Sequence, residues 1–163
     1  LQDPVLALAS FDAALAIEPI PSALATKAMI LAGSRGDLAA ARRTLELIAP
    51  GERSEDRAVS FAMWVALLEN KPERVQEMAA LSARPYFEDT YFVGPKAWMR
   101  ALAHRREGKE AMARLQWEAA ETVVRARLQV NPTGIGEKFE LGVTLCSKGS
   151  RRRRAAGREP RRE

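Results

Sequence analysis

One cysteine, Cys146, and one histidine, His104, are all that 163 residues hold of two side chains prominent in metal ligation and nucleophilic chemistry. A single cysteine excludes an internal disulfide framework and fits a reducing compartment, so a cytoplasmic location is expected. A lone histidine with no cysteine nearby cannot assemble a metal centre of ordinary ligand number, and no cofactor is expected. Aromatic residues make up only 6 % of the chain, and no segment sustains an alternating apolar–polar pattern. Both features argue against sheet, which favours aromatic and β-branched residues. No apolar run reaches the ~18–20 residues a membrane helix needs. The opening Leu1-Gln2-Asp3-Pro4 has neither an initiating Met nor a basic n-region, so the chain reads as a fragment without a secretory leader.

What is present is alanine and charge. Hydrophobic residues reach 47 %, much of it Ala, a composition that suits closely packed helices. The charge is uneven. Lys148–Glu163 holds eight basic and two acidic residues, while the whole chain carries +5, which leaves residues 1–147 at −1. The basicity belongs to the tail.

Along the chain the apolar spacing predicts eight helices. The first covers residues 4–17, with Asp3 as N-cap and Pro4 at the first helical position. Ser22 caps a second helix to about Leu31, closed by Gly33-Ser34-Arg35-Gly36. Asp37 caps a third over residues 38–48, and Ser54 opens a fourth over 55–69 with Val59, Ala62, Met63, Ala66 and Leu67 on its apolar face. A short fifth runs from Pro72 to about Ala83. Residues 84–94, crowded with Tyr86, Phe87, Tyr91 and Phe92, read as an ordered loop or a short turn of helix. Pro95 starts a sixth helix that ends at Gly108, the seventh runs from Lys109 to about Val130, and Glu137–Ser147 forms a weaker, glycine-interrupted eighth. Helices of this length with short connections predict antiparallel hairpins.

The hairpins repeat. Ala7-x3-Phe11, Ala41-x3-Leu45 and Ala113-x3-Trp117 each set a small residue one turn before a large one, with Ala14, Ile48 and Ala120 three residues further on. The first two copies lie 34 residues apart; the third follows 72 later, two such periods with four residues added. Gly36-Asp37 and Gly108-Lys109 each begin five residues before their Ala, and Pro19 falls twelve after Ala7. An Ala-x3-Phe spacing on a period near 34 with a closing proline resembles the tetratricopeptide (TPR) family. The physical sense is that two helices crossing closely need a small side chain at the crossing, while the larger neighbour fills the space between hairpins.

The resemblance covers roughly residues 4–149 and implies an all-α, right-handed superhelical solenoid of antiparallel hairpins, truncated at both ends. First-helix positions are looser, with Ala25, Ala28, Met29 and Ala32 where the family carries Trp, Leu, Gly and Tyr. The family's function implies a non-enzymatic scaffold that holds a peptide or a partner helix in a concave groove lined by first-helix residues. Here those positions are Thr26, Ile30 and Ser34 in one hairpin and Trp98, Leu102, Arg105 and Arg106 in another. Trp98 beside two arginines suits a peptide with an aromatic or acidic anchor; Arg105 and Arg106 read equally as a solvated helix end that favours the dipole. The run Gly94-Pro95-Lys96-Ala97-Trp98 with the long helix to Asn131-Pro132 resembles a bacterial style of array that follows a protein kinase or a winged-helix transcription-regulator domain. On that reading the chain is a regulatory appendage.

Other candidates have simpler explanations. His104 reads as packing, Cys146 as a small buried apolar residue, and Trp64 and Trp117 as core. Gly33–Gly36 follows a helix and lacks the Gly-Lys-Ser/Thr ending of a phosphate loop. Glu55-Asp56 and Glu88-Asp89 sit at helix starts or in loops, where carboxylates favour a helix dipole. No serine has both a base and an elbow motif around it, so no catalytic residue is assigned. Residues 150–163, with Arg151–Arg154, Arg158, Arg161 and Arg162, form a basic tail. They read either as a disordered arm that binds nucleic acid weakly, without aromatics for base stacking, or as a GC-rich gene read out of frame.

Overall fold

A computed structural model describes residues 3–89 and 92–149, so the Arg-rich tail from 150 and Tyr91 lie outside the described residues. Helix α1 spans Pro4–Ile17. Asp3 Oδ1 accepts from the amides of Val5 at 2.8 Å and Leu6 at 3.2 Å, satisfying two donors that the first turn leaves orphaned. Helix α2 spans Pro21–Arg35 with Ile20 at its N-cap. Ser22 therefore falls inside the helix instead of capping it, because Pro21 is pre-set for the first helical position. The helix also runs through Gly33 and stops only at Gly36, where φ reaches 67° and the chain turns left-handed. The Asp37 amide then reaches back to the Leu31 carbonyl at 3.1 Å, and Asp37 Oδ1 accepts from Ala40 N at 2.9 Å to start α3, Leu38–Glu46.

A turn of 3-10 helix at Pro50–Glu52 leads to α4, Asp56–Leu68, whose N-cap is Glu55 and not Ser54. Helix α5 spans Pro72–Ala80. The next segment corrects the expectation of no sheet. Tyr86–Glu88 (β1) and Val93–Pro95 (β2) pair antiparallel, with Phe87 opposite Gly94. Three-residue strands are too short to display alternation, which is why the pattern was invisible in the sequence. Helices α6, Lys96–Arg106, α7, Glu110–Val130, and α8, Ile135–Gly149, complete the described residues.

The chain is mostly helical, and neighbouring helices pack on one another. α2 packs against α1, α3 and α4; α4 packs against α3, α5 and α6; α6 packs against α5 and α7; α7 packs against α8. The middle element, α4, has neighbours on several sides and buries Ala58, Val59, Phe61, Met63, Val65, Ala66 and Leu67. The largest apolar cluster joins Val59, Met63, Ala66 and Leu67 to Val75 and Ala79 of α5, Phe87 of β1, and Met99 and Ala103 of α6. A second joins Leu24 and Ala25 of α2 to Ile48, Ala58 and Phe61, with Leu15 of α1 packed against it. A third gathers Ala28, Ala32, Ala41 and Val65. Fully burying one side chain such as Phe61 stabilises by roughly 1.5–3 kcal/mol, so these clusters dominate the fold.

Of the spaced residues read from the sequence, Ala41, Ile48, Ala113, Trp117 and Ala120 are buried, and Leu45 packs against two clusters. Ala7 and Phe11 are half-buried, and Ala14 is exposed. The inward stripe of α1 is Leu8 and Leu15, one position from the spacing inferred for Ala7 and Ala14.

Candidate functional site

The seven residues assigned to a groove do not share one open surface. Thr26 is 6 % exposed and its hydroxyl donates to the Ser22 carbonyl at 2.8 Å; Ile30 is 5 % exposed. Packing of α2 on three other helices buries them both. Leu102 packs against the largest cluster. Trp98 is half-buried and its indole Nε1 donates to Thr144 Oγ1 of α8 at 2.8 Å. The Arg105 guanidinium lies 5.6 Å from the centre of the Trp117 ring and donates to the Ser147 carbonyl at 2.8 Å. Only Ser34 of α2 and Arg106 of α6 face solvent. Helix α8 thus covers Trp98 and Arg105, where a partner was expected.

Two other sites emerge. The first is a cleft between α3 and α5 with α4 as its floor. Its volume is about 160 Å³, lined by Leu45, Ile48, Ala62, Val65, Met78 and Leu81. Charged groups stand around it. Arg42 Nε lies 3.4 Å from Glu69 Oε1, and Lys71 Nζ lies 3.4 Å from Glu69 Oε2. Arg53 is fixed by donating from Nε to the Ile48 carbonyl at 2.9 Å and from Nη2 to the Glu46 carbonyl at 3.0 Å. Arg74 completes the rim. Helices α3 and α5 are short, nine residues each, and the cleft lies between them over half-buried Ala62, with Ala58, Val59, Val65 and Ala66 buried on its floor. Sequence periodicity placed Ala62 on an apolar face, but the shortness of both flanking helices, and hence the cleft, was not legible.

The second is a polar cluster where β1, α6, α7 and α8 meet. Glu140 is buried, and its Oε1 accepts from the Tyr86 hydroxyl at 2.6 Å while Oε2 has no partner among the described residues. Thr144 is fully buried, donating to the Glu140 carbonyl at 2.8 Å and accepting from Trp98. The Arg127 guanidinium stacks 4.0 Å from the Tyr86 ring centre, pairs with Glu88 and reaches Glu137 at 3.8 Å. Desolvation raises the pKa of Glu140 from its ordinary carboxylate value, against the opposing pull of Tyr86 and Arg127. Desolvation and the bond to Glu140 push Tyr86 far above its ordinary value.

The remaining candidates are placed as follows. His104 is buried, its Nδ1 3.1 Å from Glu107 Oε2. Cys146 is exposed, which corrects its assignment as a buried residue: α8 presents its opposite side to the protein. Trp64 is half-buried against Phe92, ring centres 6.3 Å apart. Asp56 pairs with Arg84 at 2.9 Å and Asp89 with Arg57 at 2.7 Å. Among the described residues no group of three His, Cys, Asp or Glu is arranged to hold a metal, and no helix is long and apolar enough to cross a membrane. Comparison of the chain with models of known families, with curated proteins and with solved structures found no match.

Proposed function

We propose that this protein is a non-enzymatic, TPR-like binding scaffold, its helices stacked as successive hairpins, and that it holds a segment of a protein partner. The stacking reading is supported by the alternation of neighbours. Each of α2, α4 and α6 packs on the helix before it and the helix after it, as a solenoid requires. The binding site moves from the residues first assigned to the cleft between α3, α4 and α5.

The observation that carries this is the size and lining of the cleft. An apolar hollow of about 160 Å³ takes one large side chain; small-molecule sites run to roughly 300–1,000 Å³. A cavity near ~150 Å³ is known to accept a benzene-sized group. The Arg42, Arg53 and Arg74 rim outnumbers Glu46 and Glu69, so carboxylates flanking the apolar anchor would be favoured. The fitting partner is an amphipathic segment with one Leu, Met or Phe anchor beside acidic residues, the helix-in-groove mode of recognition.

Selection of displayed random 16-residue peptides on the full chain tests this. Enriched peptides should carry one large apolar residue flanked by Asp or Glu, and Ala62→Trp, which fills the hollow, should weaken them at least tenfold. Enriched peptides that bind the Ala62→Trp chain equally well would place the site elsewhere; no enrichment would refute the scaffold reading.

A further inference from the structure

Helix α8 is docked by its polar side. Its two buried side chains are Glu140 and Thr144, while Ile135 is 84 % exposed and Phe139 72 % exposed. None of its residues belongs to the three apolar clusters. Its attachments are hydrogen bonds and ion pairs with every neighbouring element. Tyr86 of β1 donates to Glu140, Trp98 of α6 to Thr144, and Arg105 of α6 to the Ser147 carbonyl. Lys148 reaches Glu121 of α7 at 3.0 Å and Glu118 at 3.7 Å.

A seam of this kind differs from an apolar interface in what happens when it opens. A typical intramolecular hydrogen bond contributes only about 0.5–1.5 kcal/mol net, because water replaces it on both partners. Exposed ion pairs contribute about 0–1 kcal/mol. Separating α8 rehydrates Glu140, Thr144 and Lys148 and exposes little apolar surface of α8 beyond Leu141 and Val143, which are already half-exposed. The buried Glu140 Oε2, without a partner among the described residues, gains a hydration shell on release. Asn131-Pro132-Thr133-Gly134, which joins α7 to α8, is mostly exposed and lies outside both helices.

We propose that α8 is a displaceable helix and that the surface beneath it, formed by Tyr86, Trp98, Arg105 and Arg127, is a second docking surface, filled in cis by α8. The competing partner is a helix with the same chemistry: a carboxylate for Arg127 where α8 has Glu137, another for the Tyr86 hydroxyl where it has Glu140, a hydroxyl one turn later for the Trp98 indole, and a free carbonyl near its C-terminus for Arg105. Trp, Tyr and Arg are the side chains that most often dominate interfaces, and here they converge on one face. This surface is separate from the α3–α4–α5 cleft, and either assignment stands if the other falls.

The probe is a fluorescein-labelled synthetic peptide of residues 134–149, titrated by anisotropy into the full chain. In the chain, Glu140→Ala with Thr144→Val weakens the cis helix and leaves the docking surface intact. The peptide should bind that variant at least tenfold more tightly than the native chain, and Arg105→Ala added to the variant should reduce the gain. Equal affinity for both chains, or no binding to the variant, overturns the proposal. The indole N–H resonance of Trp64, which packs against the largest cluster far along the chain from α8, must be unshifted in the variant; a variant that fails this is replaced by Thr144→Val alone, for which the same two outcomes apply.

Discussion

Helices α4 and α8 are of similar length, 13 and 15 residues, yet they are held by opposite chemistry. α4 buries Val59, Phe61 and Met63 completely and has helices packed on several sides. α8 buries a glutamate and a threonine and turns Ile135, Phe139 and Leu145 outward. The first arrangement draws on removal of apolar surface from water, which is lost only when the centre of the molecule comes apart. The second draws on polar contacts that water can replace one by one. The contrast separates a permanent part of the structure from a conditional one, and each functional proposal attaches to one part: the apolar cleft to the fixed α3–α4–α5 region, the polar surface to the end covered by α8.

The largest effect that would sharpen this contrast is at the centre. Phe61→Ala leaves a cavity among Leu24, Ala25, Ile48 and Ala58, and should cost about 3–5 kcal/mol of global stability in denaturant unfolding. A cost below ~1 kcal/mol would mean the centre is not tightly packed. Next comes Gly94, whose φ of 153° is a conformation few side chains adopt. A Cβ there would also lie 2.8 Å from the Trp98 ring, whose indole is anchored on Thr144. Gly94→Ala should therefore cost about 1–3 kcal/mol by thermal or chemical unfolding. Unchanged stability would show that the β-hairpin is not fixed against α6.

Trp98→Phe should act locally. It removes the donor to Thr144 and about 0.5–1.5 kcal/mol of α8 docking, seen as faster amide exchange in α8 with α4 unchanged. Equal acceleration in both helices would break the distinction. The smallest effect is pH dependence. Glu140, faced by Tyr86 and Glu88 of β1, Arg127 of α7 and Glu137 of α8, has its affinity for protons raised by burial. A folded-state value above the unfolded one means the docked helix binds the proton more tightly. Its stabilising contribution is then fully present below the ordinary carboxylate range and is lost as pH rises through the raised value. Protection of α8 amides, corrected for intrinsic exchange, should fall from pH 4 to pH 7. A rise over that interval would contradict the burial of Glu140.

How legible all this was depends on range. The Asp3 and Asp37 caps and the Pro4 start follow from residues within one turn of each other, and they appear as read; the sixth helix, read from Pro95 to Gly108, forms over Lys96–Arg106 with Pro95 as its N-cap. Ala41, Ala113 and Trp117 are buried where small-then-large spacing put them. Apart from Ser22, the misses are non-local. Ala14 faces solvent because α1 packs chiefly on α2 and turns Leu8 and Leu15 toward it. Ser22 was displaced as a cap by the proline beside it. The β-hairpin needs Phe87 to enter the central cluster and Gly94 to pass close to Trp98, contacts that no spacing rule encodes. The assigned groove assumed that Trp98 and Arg105 face open space; the polar stripe Glu137, Glu140, Thr144 and Ser147 that occupies it was visible in the sequence, but nothing local marked it as the inward side.

Residue-resolved hydrogen exchange of the full chain at neutral pH tests the contrast most directly. Amides of Val59–Leu67 in α4 should open only with global unfolding, tracking the denaturant-measured stability, while amides of Leu141–Ser147 in α8 should exchange at least tenfold faster through a local opening insensitive to low denaturant. A single shared protection for both helices, falling together as denaturant rises, would show one cooperative unit and contradict the account.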